Sequence, residues 1–372
     1  MEEQTGKMNV GIVGVCGAIG RGAYMTPTIN AVPTLKVHAF CDVDEKGMTD
    51  AATRLGVAET YTSYDQMLER SDLQAVFVAT PMHLHVPYAI AALEKGLHVL
   101  SEVPAGVTVE ECRQLVDACA NHDAVYMIAE NYIYSEINAT VREMVQQGEF
   151  GTPYYAEAEY IHELRLVNEQ TPWRRKWQTG INGITYGTHP LGVVLQWFPG
   201  DRVVAVSCSG SGHHYTDAKG RPYEAEDCGV MLCRMAKGGL VKIRVDMISD
   251  AGGRGRHLLQ GTDGWYEDGS VWLRSLGKNH HKGVHIDQVK DRFTPQSWRE
   301  HRDDAQKAGH GGGDFIQMLD WARAIQKQTS CPLGVHEAMD MTLPGLISQQ
   351  SIEKGGEWIA VPDSRNWLRG EE

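Results

Sequence analysis

The stretch that most constrains this chain is Met8–Gly22, MNVGIVGVCGAIGRG, a short apolar run that breaks into closely spaced glycines. A strand ending in such a turn and leading into a helix brings backbone N–H groups and a helix N-terminus up to an anion. Only glycine lets the main chain approach that closely. The spacing is Gly14-x-x-Gly17-x-x-Gly20 rather than G-x-G-x-x-G, so the glycines alone leave a tight bend and a pyrophosphate cradle level. Asp42 tips the balance. It closes the next apolar run, 22 residues beyond Gly20, where a carboxylate accepts from the adenosine ribose hydroxyls and repels a 2′-phosphate. Asp44 is the better placed of the two to cap the helix that follows, which leaves Asp42 for the ribose. The cofactor expected is NAD.

The pattern of strand then helix continues. Apolar runs at 36–43, 73–81, 98–104 and 124–131 alternate with helical stretches at 44–56 and 86–95, and Thr108-x-x-Glu111 reads as a capping box ahead of an amphipathic run through Cys119. Alternation at this spacing predicts a doubly wound parallel sheet, hence an α/β chain with an N-terminal Rossmann domain. A helix is expected over 135–147. Past Gly151 the pattern becomes a series of strands separated by glycine and polar turns, which predicts a C-terminal α+β domain on an open, mostly antiparallel sheet. The expected division is 1–132 for the NAD-binding domain and 133–372 for a substrate and oligomerisation domain. Two terminal helices, 313–327 and 336–353, return to one or the other.

At 372 residues and 42% hydrophobic the chain can fill two cores. Its formal net charge of −13 argues against a nucleic-acid partner. No run of about twenty apolar residues suggests a membrane span, and the first residues lack the layout of a secretory signal, so a cytoplasmic location is the expectation. Eight cysteines lie scattered without a C-x-x-C pair, which reads as reduced thiols. His83 and His85 have no third partner at a fitting spacing, so no metal is expected. Glu102 and Asn131 end apolar runs, where parallel sheets bind ligands; each is expected to hold a ribose or an amide. His310, in the cluster Gly309–Gly313, reads equally as loop and as substrate contact. His162, His213, His214, His280 and His281 are left as surface or core residues.

At Thr80-Pro81-Met82-His83-Leu84-His85 and Ser101-Glu102-Val103-Pro104 the chain resembles the Gfo/Idh/MocA oxidoreductase superfamily, over nearly its whole length. Most members end the fourth strand Glu-Lys-Pro, with the lysine a catalytic group beside the nicotinamide. Here that position is Val103. The branch that also carries Glu-Val-Pro is that of the NAD-dependent glycosidases, α-N-acetylgalactosaminidase-like. The chain is similar to it at Ala129-Glu130-Asn131, Tyr160-x-His162-x-Leu164-Arg165, Trp173-Arg174, Tyr186-Gly187-Thr188-His189 and Gly309-His310-Gly311-Gly312. The resemblance implies NAD contacts from Arg21, Asp42, Met82, His83, His85, Glu102, Val103 and Asn131, with His85 beside the nicotinamide. It implies substrate contacts from Tyr160, Arg174 and the segment Tyr186–His189, Thr188 included. Near Gly253 glycine stands where the branch would place a substrate-facing tyrosine.

The chemistry implied is redox-neutral cleavage of a glycoside. Oxidation at C3 makes the C2 hydrogen removable, the C1 substituent leaves, water adds, and the hydride returns. His189 and Tyr186 are the candidate bases. A histidine titrates near neutrality, while a tyrosine must be pushed down from about 10, for which Arg174 is the expected cation. His189 also follows a glycine-containing turn at the start of a helix, a place that presents a side chain to a cleft. Two other readings stand beside this one: a sugar or polyol dehydrogenase that releases NADH, and a non-catalytic NAD sensor. Val103 counts against the first of these, and the pairing of Tyr186 with His189 against the second. Arg174, Arg175, Lys176, Arg254 and Arg256 raise the prospect of an anionic sugar. Association into a dimer or tetramer through the open sheet is expected.

Overall fold

The structure, a computed structural model, describes residues 6–69, 72–250, 253, 255–277 and 282–368. The chain divides into two compact units. One comprises the described residues of Met1–Ala129, Asp303–Met339 and Ser364–Glu371, the other those of Glu130–Arg302 and Asp340–Asp363.

The first unit is built on six strands, β1 (Met8–Val13), β2 (Leu35–Cys41), β3 (Glu59–Tyr61), β4 (Ala75–Val78), β5 (His98–Ser101) and β6 (Tyr126–Ile128). They pair in the order β3-β2-β1-β4-β5-β6, every pair parallel. The order reverses between β1 and β4, the switch point at which such sheets take their ligand. All four residues of β4 are fully buried, because helices cover both faces of a parallel sheet. Those helices start where their caps dictate. Asp44 accepts from the Gly47 amide ahead of Glu45–Leu55. Thr108 accepts from the Glu111 amide ahead of Val109–Asn121, and the Glu111 carboxylate reaches back to the Val107 N–H at 3.0 Å. Each such cap contributes about 1 kcal/mol. Helix Gly313–Ile325 belongs to this unit and packs on Arg21–Ala31.

The second unit carries a nine-stranded sheet of β7 (Pro153–Ile161), β8 (Val203–Gly210), β9 (Gly229–Met235), β10 (Leu240–Asp246), β11 (His257–Gly261), β12 (Gly264–Glu267), β13 (Ser270–Leu273), β14 (Val284–His285) and β15 (Ile359–Ala360). Its order is β14-β13-β12-β11-β7-β10-β9-β8-β15. Only β7 and β10 run parallel; the remaining pairs are antiparallel. One face is apolar and buried, with Val241 and Ile243 of β10 beside Met231 and Cys233 of β9. The intervening residues carry charge, as in the pairs Lys242–Glu157 and Arg244–Glu159. Helix Thr188–Leu195 packs against β7, β10 and the turn Asn131–Tyr134, with Thr188 through Val194 all buried.

All eight cysteines are thiols. No described helix is long and apolar enough to cross a membrane. Among the described residues no three of His, Cys, Asp and Glu gather as a metal site.

Candidate active site

The glycine turn after β1 has the shape an anion cradle needs. Gly14 adopts φ +89°, and a Cβ there would lie 2.5 Å from the Ala79 carbonyl oxygen, so no other residue fits. Gly20 sits left-handed at the N-cap of helix Arg21–Ala31, without a side-chain cap and with no acidic residue in the first turn. The Gly22 and Ala23 amides donate to the Gly14 and Val15 carbonyls of the turn, so the turn is folded onto the helix start and leaves the helix's positive end without a countercharge from its own first turn. Asp42 is already engaged. Its Oδ2 accepts from the amides of Val15 (2.7 Å) and Cys16 (2.8 Å), and its Oδ1 from Asp44 N–H. A carboxylate offers about four acceptor positions, so one remains for a ribose hydroxyl. The same side chain that would read the ribose thus also ties the turn. These features fit a dinucleotide.

Arg21 does not stand alone beside the turn. Its Nε donates to Glu102 Oε1 at 2.6 Å, and its two terminal nitrogens to Asp314 at 3.1 and 3.2 Å; Asp314 in turn accepts from His310 Nδ1 at 2.9 Å. Burial opposes the Arg21 charge, and Glu102 and Asp314 more than offset it, so the guanidinium is held well above its usual range. The His85 ring is 1% exposed and bridges two backbone carbonyls, Pro104 at 2.8 Å and Thr80 at 2.9 Å, which ties together the loops after β4 and β5. Desolvation lowers its pKa, with the carbonyls acting the other way. Met82 and Val103 are buried at 3% exposure each, Asn131 is buried too, and His83 is half-buried.

The second unit gathers a different cluster. His189, at the first turn of Thr188–Leu195, is 6% exposed. Its Nδ1 lies 2.8 Å from Glu130 Oε1 and its Nε2 3.2 Å from the Tyr186 hydroxyl. A carboxylate only accepts, so Nδ1 carries the proton and Nε2 offers its lone pair to the Tyr186 O–H. Glu130 is fully buried, and its Oε2 has no hydrogen-bond partner among the described residues. Tyr132 stacks on the imidazole at 4.4 Å between centroids, and Tyr160 lies 5.0 Å away. The loop that carries Tyr186 is pinned by Ile184 N–H to Ser348 Oγ at 2.7 Å and, further up, by Asn168 to Thr179. The arrangement is a carboxylate, an oriented imidazole and a hydroxyl, the set that a general base with an orienting group requires.

Sequence reasoning placed Tyr186, His189 and Tyr160 together, and they are together. It missed Glu130 and Tyr132; the signal was the string Ala129-Glu130-Asn131-Tyr132 directly after β6. Thr188, expected at the substrate, is fully buried with its hydroxyl enclosed. Arg174 lies over Trp173 and donates to Gln178. Its charge bears on Tyr160, but burial and the neighbouring Tyr186, Tyr132 and Glu130 outweigh it and keep the Tyr160 phenol well above 10. Arg175 is committed to Asp217 and Arg256 to Glu267 and Glu157. Arg254, His280 and His281 lie outside the described residues, and Gly253 is exposed.

Residues 8–130 match the oxidoreductase family with NAD-binding Rossmann fold, and residues 134–369 match the C-terminal domain of glycosyl hydrolase 109. A glycosyl hydrolase family 109 protein of Saccharopolyspora erythraea is 30% identical, over 94% of this chain and 82% of its own. An alpha-N-acetylgalactosaminidase of Shewanella oneidensis is 28% identical, over 96% and 85%. In fold the chain is similar to levoglucosan dehydrogenase in complex with NADH and levoglucosan, at a TM-score of 0.79 and 20% identity over 96% of this chain and 100% of that one. It is also similar to myo-inositol 2-dehydrogenase from Lactobacillus plantarum, at a TM-score of 0.74 and 19% identity over the same shares.

Proposed function

The chain belongs to the glycosyl hydrolase 109 family and is an NAD-dependent enzyme of the Gfo/Idh/MocA type, and from that premise we propose that it cleaves a glycosidic bond by elimination and water addition on a transiently oxidised sugar. The observation that carries the reading is the line Glu130–His189–Tyr186, with distances of 2.8 and 3.2 Å.

Bound NAD supplies reversible hydride acceptance at C3 of the sugar, so the overall reaction has no net redox change. The residues to hold it are Gly14, Gly17, Gly20, Asp42 and the loops after β4 and β5, with Arg21 and Glu102 as a joined pair. A C3 carbonyl acidifies the C2 hydrogen, and the chain must then remove a proton. Nε2 of His189 takes it, directly or through the Tyr186 hydroxyl, and the Glu130 carboxylate steadies the imidazolium that results. The C1 aglycone leaves as the C1–C2 double bond forms. Water adds across that bond, with oxygen to C1 and hydrogen to C2, the latter from the same base. Tyr160, kept neutral by burial, donates a hydrogen bond to the sugar rather than accepting a proton. Val103 can carry no proton, so the C3 hydroxyl proton released as the hydride departs passes to solvent and comes back when the hydride returns to C3.

The test is a panel of nitrophenyl glycosides given to the purified protein with no added NAD and then with excess. Nitrophenol release without net NADH, and deuterium at C2 of the product formed in heavy water, are expected. Steady growth of NADH absorbance would make the protein a dehydrogenase. Retained NAD with no turnover of any sugar would leave a binding protein. Within the panel, Arg174→Ala should cost an acidic sugar far more than a neutral one; equal losses would remove the anionic substrate.

A further inference from the structure

Tyr132 is half-buried in the turn after β6, and three contacts converge on it. Its ring stacks on His189 at 4.4 Å with 28° between planes, its backbone N–H donates to Glu130 Oε1 at 3.2 Å, and its hydroxyl shares a hydrogen bond with Tyr160. The same Glu130 oxygen therefore receives both the Tyr132 amide and His189 Nδ1–H. An imidazole ring can turn over and exchange its two nitrogens. A ring lying flat against it resists that turn, and the shared oxygen sets which edge faces the carboxylate. We infer that Tyr132 is a positioning residue for the general base, holding His189 as the Nδ1–H tautomer with Nε2 directed at Tyr186. The inference rests on the proposed reaction but has a readout of its own.

The groups facing His189 are Glu130 and Tyr132 from the turn, Tyr160 from β7 with Arg174 behind it, and Tyr186 from its own segment. On β10, which also packs against the helix, Lys242 and Arg244 pair with Glu157 and Glu159, and Asp246 accepts from Ser249.

The experiment compares Tyr132→Leu and Tyr132→Phe in the chain loaded with NAD and labelled with ¹⁵N-histidine. For Tyr132→Leu, kcat should fall about tenfold or more with KM within about twofold. The His189 nitrogen shifts should lose the pure Nδ1–H signature. Tyr132→Phe keeps the ring and should restore turnover to within about threefold of the parent, with the parent tautomer. A Tyr132→Leu chain with unchanged tautomer and turnover overturns the inference. So does a Tyr132→Phe chain as impaired as Tyr132→Leu, because the role would then belong to the hydroxyl. Should no glycoside be cleaved at all, the nitrogen shifts still decide the matter.

Discussion

The two ring nitrogens of His189 do different work because their neighbours differ. Glu130 gives the imidazole its direction, and in the proposed reaction it supplies a countercharge that burial makes expensive to lose. Glu130→Gln keeps the volume and an acceptor but removes the charge, so kcat should fall about a hundredfold or more while the protein still co-purifies with NAD, read by turnover and by absorbance of the released cofactor. Tyr160 offers a contrasting case. Burial, ahead of the Tyr186, Tyr132 and Glu130 contributions, holds its pKa well above 10, so it stays neutral through the working range. Tyr160→Phe should leave the shape of the pH profile unchanged and act on KM; a displaced basic limb would contradict this. His189 and Tyr186 were legible because a glycine-containing turn ahead of a helix start sets both side chains within reach of each other. Glu130 was not, because a carboxylate after a strand reads alike whether it serves the cofactor or a histidine 59 positions on.

At the scale of elements, helix Thr188–Leu195 reaches Glu130 only because Gly192 is bare. A Cβ there would stand 2.9 Å from Glu130 Cγ and 2.9 Å from Met341 Sδ. Gly192→Ala should push the carboxylate off His189 and lower kcat by about tenfold or more, with the chain still folded by circular dichroism. At the other glycine element, Gly14→Ala would meet the Ala79 carbonyl in a left-handed conformation; loss of NAD on purification is the expected result. The parallel sheet was readable from alternation, since strands buried on both faces are continuous apolar runs. The second sheet was readable from its turns. What alternation could not give was side-chain direction: His85 turns inward to two carbonyls, and the Asp42 carboxylate closes on the glycine turn after β1.

For the molecule as a whole, stability in acid should follow the Arg21–Asp314 pair. Burial alone would raise the Asp314 pKa, but the hydrogen bond from His310 and the Arg21 charge hold it well below the usual carboxylate range. A depressed carboxylate stabilises the fold fully above its unfolded value, about 4, and less as pH falls below that. Arg21→Met should cost about 3 kcal/mol at neutral pH, seen as a lower urea midpoint at unchanged slope, and the gap to the parent should narrow in acid. The division expected at 132 marks where the Rossmann strands end, but the first compact unit also claims 303–339. The sequence left open to which unit the terminal helices return, because the segments that complete a core need not be neighbours along the chain. During synthesis the strands β1 to β6 therefore emerge long before Asp314 exists to receive Arg21. At common ribosome speeds that interval is roughly ten to forty seconds, during which the Arg21 guanidinium has Glu102 as a partner but not yet Asp314. A gene cut after residue 132 would make that interval permanent.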